Sequence, residues 1–484
     1  MNKKIVLSIL IGFFIILIGF FFINNTGNLK EISTIFLNNE QRKIIKKYFF
    51  PYQIISQQEN RIERLEKELS QKKNYSNSFV YNIEEIFKKS LNDIQLKKKN
   101  EIILSDNKIM NKFELVNGFY SGIFGERPGG FIEIHQDNLL ILSARGILGF
   151  SNDIDNLYFQ QIKNNLDDFI NFKKLKKTDS SNKEIILNTP QTWNSVVTVR
   201  DLFIDKDEIY ISYVEQIRLN CWNISVLHSK INYKNIIFKK LYSFDKCDGS
   251  NNPRYSNQTG GRIVNFDKNH ILLSVGVLGD DQLAQEKTSI KGKIIKINTN
   301  DSSYEIISMG HRNPQGLLYD REINTILVTE HGPFGGDEIN LIEVDKISKD
   351  EPLNFGWAIV SAGEHYCTKY YKKSEEPCAS KYKDFPLYKS HSKYGFIEPL
   401  TSFVPAIAIS EIVKIGENNY VFGSMGADKE QQKSLYYFQL NEEKKMINLK
   451  QVKVFQRVRD LVYKNEALYL LFEEPSSIGV ISLK

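Results

Sequence analysis

The sequence contains few of the residues that bind metals or cross-link small folds. Its 484 residues include seven histidines and four cysteines, with no Cys-x-x-Cys pair and no closely spaced histidines. This spacing gives no support to a zinc site. A strong charge of one sign is also missing, because 64 basic residues face 58 acidic ones for a formal charge of +6. A bias so mild and scattered argues against nucleic acid as a partner.

One long apolar run is present, from Ile5 to Ile23, and two lysines, Lys3 and Lys4, precede it. About 20 apolar residues span the hydrocarbon layer, and no small-residue cleavage pattern follows the run. The pattern predicts an uncleaved transmembrane signal anchor over residues 1–27, with a buried core helix as the alternative. The lysines favour a cytoplasmic N-terminus, which predicts a single-pass protein of the inner (cytoplasmic) membrane whose remainder lies in the periplasm or outside the cell.

The four cysteines lie far from this run, in the part of the chain predicted to be exported. An even number of cysteines in an exported domain suggests disulfides. The pairs closest in sequence are Cys221 with Cys247 and Cys367 with Cys378. We therefore expect these two bonds, although four cysteines allow three connectivities and four free thiols are the alternative.

Residues 28–111 are polar and charged and predict a partly helical spacer. Within them, Ile55, Ile62, Leu65 and Leu69 recur at a spacing near 3.5 residues among charged neighbours. This pattern is typical of a short amphipathic helix. The helix near Ile62 is either a coiled-coil segment that makes an oligomer or a solvated spacer.

Helical periodicity disappears over residues 112–484, where short runs of β-branched and aromatic residues alternate with polar turns. One unit recurs: an apolar strand, a short polar turn and a second apolar strand. Blades with two apolar faces bury them by packing radially, so six copies predict an all-β, six-bladed β-propeller, with a β-sandwich as the alternative. The copies are Gly130–Ser143, Asp201–Val214, Arg262–Val275, Gly316–Thr329, Ala408–Phe422 and Asp460–Phe472.

Polar residues are most concentrated in two loops of this region. The first loop reads Gly-His-Arg-Asn-Pro-Gln-Gly over 310–316, and the second reads His-Gly-Pro-Phe-Gly-Gly-Asp-Glu-Ile-Asn over 331–340. Turn chemistry alone would explain the glycines but not the crowding of charged and amide side chains. The Arg312 guanidinium can donate two hydrogen bonds to a carboxylate. The carbonyls of Gly332 and Pro333 are oxygen ligands of the kind that calcium takes.

These two loops, with Asn-Phe-Gly-Trp over 354–357, closely resemble the pyrroloquinoline quinone-dependent glucose, sorbosone and aldose sugar dehydrogenases. The resemblance runs from about residue 118 to the C-terminus. It implies a quinone at one end of the propeller axis, held by calcium and arginines, and oxidation of a sugar by hydride transfer to that quinone. The residues it implies as cofactor contacts are Arg312, Asn313, Gln315, Arg457 and Arg459. It also implies calcium on the Gly332 and Pro333 carbonyls and Asp337 beside the substrate.

The sequence departs from this family at two positions. Gln258 stands where the family has the histidine that acts as general base, and an amide side chain cannot accept a proton near neutral pH. Losing a positioned base costs about 10²–10⁴ in rate. Gly426 stands where family members carry a Lys or Arg that contacts the quinone.

Three functions are compatible with this pattern. The first is a membrane-anchored periplasmic quinoprotein that oxidises an aldose or a related sugar. The second is a catalytically impaired propeller that binds a glycan or a protein. The third is an assembly protein, which predicts a large exposed apolar patch.

Overall fold

The structure is a computed structural model, and it describes residues 94–115, 130–143, 146–152, 158–170, 176–178, 184–186, 199–248, 258–348, 350–426, 432–473 and 477–484. The predicted anchor over residues 1–27 and the predicted helix near Ile62 lie outside these residues. Across the described ranges, no helix is both long enough and apolar enough to cross a bilayer.

All six predicted strand–turn–strand units fold as the first two strands of a four-stranded antiparallel blade. The fourth strand of the last blade comes from the beginning of the described chain, where β1 spans Ile94–Ile103 and β2 spans Ile109–Leu115. Blade one contains β3 (Gly130–His135), β4 (Asn138–Ser143), β5 (Leu148–Ser151) and β6 (Tyr158–Gln161). Blade two contains β10 (Val199–Asp205), β11 (Glu208–Arg218), β12 (Cys221–Lys230) and β14 (Lys239–Ser243). Blade three contains β15 (Gly260–Asp267), β16 (His270–Val275), β17 (Lys293–Asn298) and β18 (Tyr304–Met309).

Blades four to six follow in chain order. Blade four contains β19 (Pro314–Asp320), β20 (Thr325–Glu330), β21 (Asp337–Glu343) and β23 (Thr401–Phe403). Blade five contains β24 (Ile409–Gly416), β25 (Asn419–Ser424), β26 (Ser434–Leu440) and β27 (Met446–Lys453). Blade six contains β28 (Arg457–Lys464), β29 (Ala467–Glu473) and β30 (Ser477–Ser482), with β2 as its fourth strand. Short additional strands are β7 (Lys163–Asn164), β8 (Lys176–Thr178), β9 (Glu184–Ile186), β13 (Asn235–Ile236) and β22 (Leu353–Asn354).

The innermost strands of the six blades form a closed ring, because each contacts the next and β28 contacts β3. The outer strands join blades six and one as well, because β2 pairs with β30 of blade six and β1 pairs with both β2 and β6 of blade one. The propeller therefore begins at residue 94 or earlier, and the predicted spacer boundary at residue 111 is too late. The sequence conceals this strand because its buried residues, Met110 and Phe113, stand among lysines and asparagines.

The apolar core is divided among the blade interfaces. Six clusters of buried apolar side chains each lie between two neighbouring blades. Between blades one and two, for example, Leu140 and Leu142 pack with Leu202 and Ile211. Each blade is thus buried on both faces, which explains why its strands read as nearly continuous apolar runs.

Two short helices in the described part of the chain lie outside the blades, and one disulfide starts at the first residue of β12 while the other lies in a loop. Helix α1 spans Leu166–Phe169, and α2 spans Cys378–Asp384 in a long loop between β22 and β23. Both predicted disulfides are confirmed, Cys221–Cys247 and Cys367–Cys378. Short 3₁₀ helices occupy Asp281–Gln285, Val344–Lys346, Tyr366–Lys369 and Ser392–Tyr394.

Candidate functional site at one end of the propeller axis

The predicted site residues gather where the innermost strands begin. The Arg312 loop leads directly into β19, and Arg457 and Arg459 lie at the start of β28. Gln258 lies two residues before β15. Because all six innermost strands start at the same end of the ring, these residues from blades three, four and six face a common region.

A β-bulge places one extra residue at the start of each of three innermost strands. The extra residue is Arg200 in β10, Gln315 in β19 and Arg459 in β28, between paired neighbours in each case. Strands β15 and β24 have a register shift at the same level. A β-bulge redirects the side chain of its extra residue. The repeated bulges therefore turn side chains toward the axis end that a regular β-ladder would direct elsewhere.

The next layer along the axis is built around Arg262, whose side chain is 6% exposed. Its Nη1 lies 2.9 Å from Asp201, 2.9 Å from Glu411 and 2.8 Å from Asp460, which come from three different blades. Its remaining nitrogens donate to the main-chain carbonyls of two bulge residues, Gln315 at 2.7 Å and Arg459 at 3.2 Å. One guanidinium therefore joins blades two to six and holds the bulges in place.

The carboxylates of this layer also cap main-chain amides of neighbouring blades. Asp460 accepts from Ile132 at 2.8 Å, and Asp201 accepts from Ile263 at 2.7 Å. Burial, opposed in part by Arg262, raises the pKa of Asp201 to about 6 and that of Glu411 to about 8. One guanidinium does not balance this many buried carboxylates, so both pKa values stay raised in spite of it.

Arg457 and Arg459 are both held from behind by Glu473, which is 1% exposed. The Arg457 Nε donates to one carboxylate oxygen at 3.0 Å, and the Arg459 Nε donates to the other at 2.6 Å. Burial alone would raise the pKa of Glu473, but the charges and hydrogen bonds of the two arginines outweigh it and lower that pKa. Glu473 therefore stays ionised and fixes both guanidinium groups.

The side chains of Arg459, Gln315 and Asn313 form a short chain of hydrogen bonds. The Arg459 Nη1 donates to the Gln315 Oε1 at 3.3 Å, and the Gln315 Nε2 donates to the Asn313 Oδ1 at 2.9 Å. The structure thus brings together residues that are about 145 positions apart in sequence and that the family resemblance had assigned to one ligand.

Arg312 lies under the 331–336 loop, beside an aromatic ring. Its Nη1 donates to the carbonyls of His331 at 3.0 Å and Gly332 at 2.6 Å. Its guanidinium carbon is 5.3 Å from the centre of the Trp357 ring, within the range of a cation–π contact. All three predicted motifs therefore meet at this one side chain.

A buried polar network positions the backbone of Arg312. Glu330 accepts from the Arg312 amide at 2.7 Å and from His311 Nδ1, 3.1 Å away, while His311 Nε2 lies 2.8 Å from the Ser308 hydroxyl. Burial would raise the pKa of Glu330, but His311 and the other donors outweigh it and lower that pKa. His311 and Ser308 are fully buried, so this network supports the loop rather than contacting a ligand.

Asp337 lies beneath the loop and is 2% exposed. Its Oδ1 accepts from the Gly332 amide at 3.0 Å, and its Oδ2 accepts from the Ile407 and Ile409 amides at 3.0 and 3.2 Å. Both oxygens thus hold main chain in place. The expected position of Asp337 beside a substrate stays a prediction.

Gln258 is half-buried, and its carbonyl accepts from the Leu278 amide at 3.0 Å. The adjacent Val277 amide donates to the Arg312 carbonyl at 2.9 Å, so one short segment links the two predicted site residues. Of the histidines near Gln258 in sequence, His270 begins β16 at the far end of blade three and His311 is fully buried.

His331 is the imidazole nearest to the cluster of arginines. Burial lowers the pKa of His331, Asp337 opposes that effect, and Arg459 and Arg312 lower it further. The ring is therefore neutral at pH 7. Its Nε2 is buried and has no hydrogen-bond partner among the described residues. A polar ligand atom at the axis end would satisfy it.

Gly426 carries no side chain into the site, but its carbonyl contributes to it. The Arg457 Nη1 donates to the carbonyls of Met425 at 2.9 Å and Gly426 at 3.3 Å. The main chain at the family's Lys or Arg position therefore orients Arg457 and supplies no cation of its own.

The donor set fits an anionic quinone better than it fits calcium. Guanidinium groups from blades four and six, together with amides, suit carboxylates and carbonyl oxygens. For calcium, the predicted ligand Gly332 already accepts from Arg312, so a cation there would lie against a guanidinium. No group of three or more His, Cys, Asp or Glu side chains suited to a metal was found in the described part of the chain.

Three residues of the site were not singled out from the sequence: Arg200, Glu330 and Glu473. A signal for Arg200 was present, since Val-Arg-Asp-Leu occurs at both 199–202 and 458–461. Glu330 immediately precedes the second loop. Glu473 had no local signal, because only the pairing of β28 with β29 brings it to Arg457.

Comparison with known proteins supports the family. The chain is 30% identical over 227 residues to an uncharacterized protein of Synechocystis sp., which covers 42% of this chain and 50% of that protein. It is 31% identical over 123 residues to the aldose sugar dehydrogenase YliI of Escherichia coli, covering 23% of this chain and 31% of that one. The matched segments thus span half or less of these relatives' own length.

Solved structures show the same fold. The soluble aldose sugar dehydrogenase of Escherichia coli in its apo-form has a TM-score of 0.53 at 18% identity, covering 74% of this chain and 96% of that one. A glucose dehydrogenase has a TM-score of 0.54 at 19% identity with the same coverage. A sequence model of the family described as "Glucose / Sorbosone dehydrogenase" matches residues 194–479, which is more than half of the chain. This six-bladed propeller therefore belongs to the glucose/sorbosone dehydrogenase family.

Proposed function

We propose that this chain is a membrane-anchored periplasmic oxidoreductase that oxidises an aldose or a related sugar with pyrroloquinoline quinone. The observation that carries the proposal is the group of ligand-directed side chains at the axis end. Arg312 and Gln315 from blade four and Arg459 from blade six converge there, each held by buried partners. Holding several cationic donors in one place costs conformational entropy and Coulomb energy, which an anionic ligand would recover.

Each part of the site has a role in this reaction. Arg457 and Arg459, fixed by Glu473, would bind the carboxylates of the quinone, and Arg312 would donate to its carbonyl oxygen. When bound, the quinone accepts the hydride that leaves the sugar carbon. Preorganised donors stabilise negative charge that develops on the acceptor, and they cost no reorganisation during the reaction.

Removal of the proton from the sugar hydroxyl is the step of this reaction that the site supports least. Gln258 can orient that hydroxyl by hydrogen bonding but cannot take its proton. This observation favours the second candidate function, a propeller that binds a glycan or a protein at the same end of the axis. The two functions differ in a measurable way, since the first requires quinone binding and turnover and the second requires neither.

The test is a calorimetric titration of the full-length chain in detergent with pyrroloquinoline quinone, with and without calcium, followed by dye reduction with a panel of aldoses. We expect quinone binding that Arg312→Ala weakens by about tenfold or more, because charge-assisted contacts are strong. Arg321→Ala is the matched control, since Arg321 is exposed at the opposite end of blade four. Absence of quinone binding in the parent chain would reject the oxidoreductase and leave the binding module.

The calcium arm of this titration decides a separate point. Binding that needs calcium would mean that Arg312 leaves the Gly332 carbonyl when the site is loaded. Binding without calcium would mean that the guanidinium does the work of the metal at that position.

A second variant addresses the base. Gln258→His should raise sugar oxidation if the loss of an imidazole at this position is what limits the rate, by up to about 10²-fold. An unchanged rate in a chain that still binds quinone would place the proton acceptor elsewhere.

Anchoring is a separate proposal that rests on the run from Ile5 to Ile23 and on the two preceding lysines. We expect the chain to fractionate with membranes and to resist alkaline extraction. Protease added to cells with a permeabilised outer membrane should digest the propeller. Recovery of the chain in the wash of such an extraction would refute the anchor.

A further inference from the structure

Arg200 occupies the same structural position in blade two as Arg459 does in blade six. In both blades the sequence is Val-Arg-Asp-Leu, and in both the arginine is the extra residue of a β-bulge. The aspartate that follows each of them, Asp201 or Asp460, contacts the same nitrogen of Arg262. The two arginines therefore lie at one level of the axis, one residue nearer its end than the carboxylates.

The neighbouring blade is shaped around the Arg200 side chain. The corresponding bulge in blade three contains Gly261, with φ +115°. A Cβ placed on Gly261 would lie 2.2 Å from the Cβ and 3.1 Å from the Cγ of Arg200. Blade three thus has no room for a side chain where Arg200 passes, and the aliphatic part of Arg200 packs on that main chain.

Arg200 and Arg459 are close enough for their charges to interact. Burial, followed by the charge of Arg459, lowers the pKa of Arg200 to about 9. Two like charges that interact in a desolvated place repel each other, and an anion that contacts both removes that repulsion.

We propose that Arg200 and Arg459 together form a carboxylate-binding site at the axis end, beyond the contacts that the family resemblance assigns. The carboxylate comes either from the quinone or from an acidic sugar such as a hexuronate. A substrate carboxylate would make the site select acidic sugars over neutral ones. The quinone arm rests on the proposed function, and the sugar arm does not.

The test compares the full-length parent chain with Arg200→Gln and Arg321→Gln, which remove the same charge at opposite ends of the propeller. Each protein is titrated by calorimetry with pyrroloquinoline quinone. Each is also titrated with D-glucuronate and with D-glucose, the neutral sugar of the same shape, in the absence of quinone and, for chains that bind it, in its presence.

Arg200→Gln should weaken one carboxylate ligand by about tenfold or more while leaving glucose binding unchanged. A loss confined to quinone affinity assigns the carboxylate to the cofactor. A loss of the preference for glucuronate over glucose, with quinone affinity unchanged, assigns it to the substrate. The inference is overturned if Arg200→Gln matches Arg321→Gln for both carboxylate ligands.

The outcome is distinguishable from failure of the oxidoreductase. A parent chain that binds no quinone but prefers glucuronate in an Arg200-dependent way rejects the proposed function and supports the carboxylate site. A parent chain that binds quinone, and in which Arg200→Gln changes the affinity for neither carboxylate ligand, supports the proposed function and rejects the carboxylate site. If the parent binds neither quinone nor glucuronate, both proposals are wrong.

Discussion

Two adjacent layers of the propeller axis use the same residue type for opposite purposes. In the inner layer, Arg262 is surrounded by three carboxylates at 2.8–2.9 Å and is almost fully buried. In the outer layer, nearer the axis end, Arg457 and Arg459 share the carboxylate of Glu473. Burial lowers the pKa of Arg200, and the positive charge of Arg459 repels that of Arg200 and lowers this pKa further. The inner layer has three carboxyl groups around one guanidinium, and the outer layer has three guanidinium groups, of which two share one carboxylate.

The difference shows what each layer stabilises. Carboxylates around Arg262 cap amides of neighbouring blades, so that layer holds the ring together whether or not a ligand is present. In the outer layer the charge of Arg459 disfavours that of Arg200, so an anion that contacts both would relieve this repulsion. Substitutions in the two layers should therefore separate stability from ligand binding, and the following four changes test this separation.

The largest effect should come from Arg262→Met. It leaves Asp201, Glu411 and Asp460 without their cation and frees the carbonyls of Gln315 and Arg459. Removing one partner of a buried ion pair costs about 3–5 kcal/mol. Urea unfolding followed by tryptophan fluorescence measures the loss, with Arg321→Met as the control at an exposed position. A loss no greater than that of the control would show that the inner layer does not hold the ring.

Glu473→Gln should come second, with a loss of about 3 kcal/mol, because it leaves Arg457 and Arg459 next to a neutral amide. It should also weaken quinone binding, since neither guanidinium is then fixed. Glu443→Gln removes an equal charge from an exposed pair with Lys445 and serves as the comparison. Full stability with normal binding would mean that the outer arginines position themselves without a buried partner.

A smaller effect should appear as a pH dependence of stability that originates in the inner layer. The folded pKa values of Glu411 and Asp201, about 8 and about 6, lie above their ordinary values of 4.5 and 3.8. A carboxyl whose pKa is raised by folding stabilises the fold at low pH and loses that contribution as the pH rises through the folded pKa. Glu411→Gln should therefore gain stability relative to the parent between about pH 5 and pH 8, by about 1 kcal/mol or more.

Unfolding free energies of Glu411→Gln and the parent at pH 5, 6.5 and 8 measure this difference directly. Parallel curves would show that Glu411 is ionised throughout, and that Arg262 neutralises more of the layer than we infer.

The smallest change in stability should come from Arg200→Gln, within about 0.5 kcal/mol of the parent. The charge of Arg200 is disfavoured in the fold, so removing it costs little, while carboxylate binding should fall. Thermal and urea unfolding of the variant without ligand measure the first part. A loss of several kcal/mol would move Arg200 into the structural layer and remove the contrast.

The repeat pattern allowed a large part of the fold to be predicted. Each of the six apolar–turn–apolar copies became two strands, because a blade buried on both faces needs apolar residues almost continuously. The strand Ile109–Leu115 was not foreseen, since its two buried residues stand beside Asn111, Lys112 and Glu114 and its partner, β30, is more than 360 positions away. Pairing over such a distance leaves no local trace in the sequence.

For the site, the loops at 310–316 and 331–340 pointed to Arg312, and their glycines and polar residues are indeed held in one place. The sequence did not show that both carboxylate oxygens of Asp337 would accept hydrogen bonds from main-chain amides. Nor did it show that Arg262, identical in type to Arg459, would be buried among carboxylates. A residue's role along an axis depends on which blade faces it, and that is a property of the closed ring.

By itself, the sequence determined the six-fold repeat, the family and the identity of the polar loops, and it favoured the disulfide pairs that the structure confirms. These features depend on residue types and on short spacings, which local physical chemistry can interpret. Only the tertiary structure decided which arginine lies among three carboxylates and which lie at the axis end. Bulges of one residue shift a side chain from one layer to the next, and ring closure brings blades two and six to the same level, so the charges of Arg200 and Arg459 interact although the residues are about 260 positions apart.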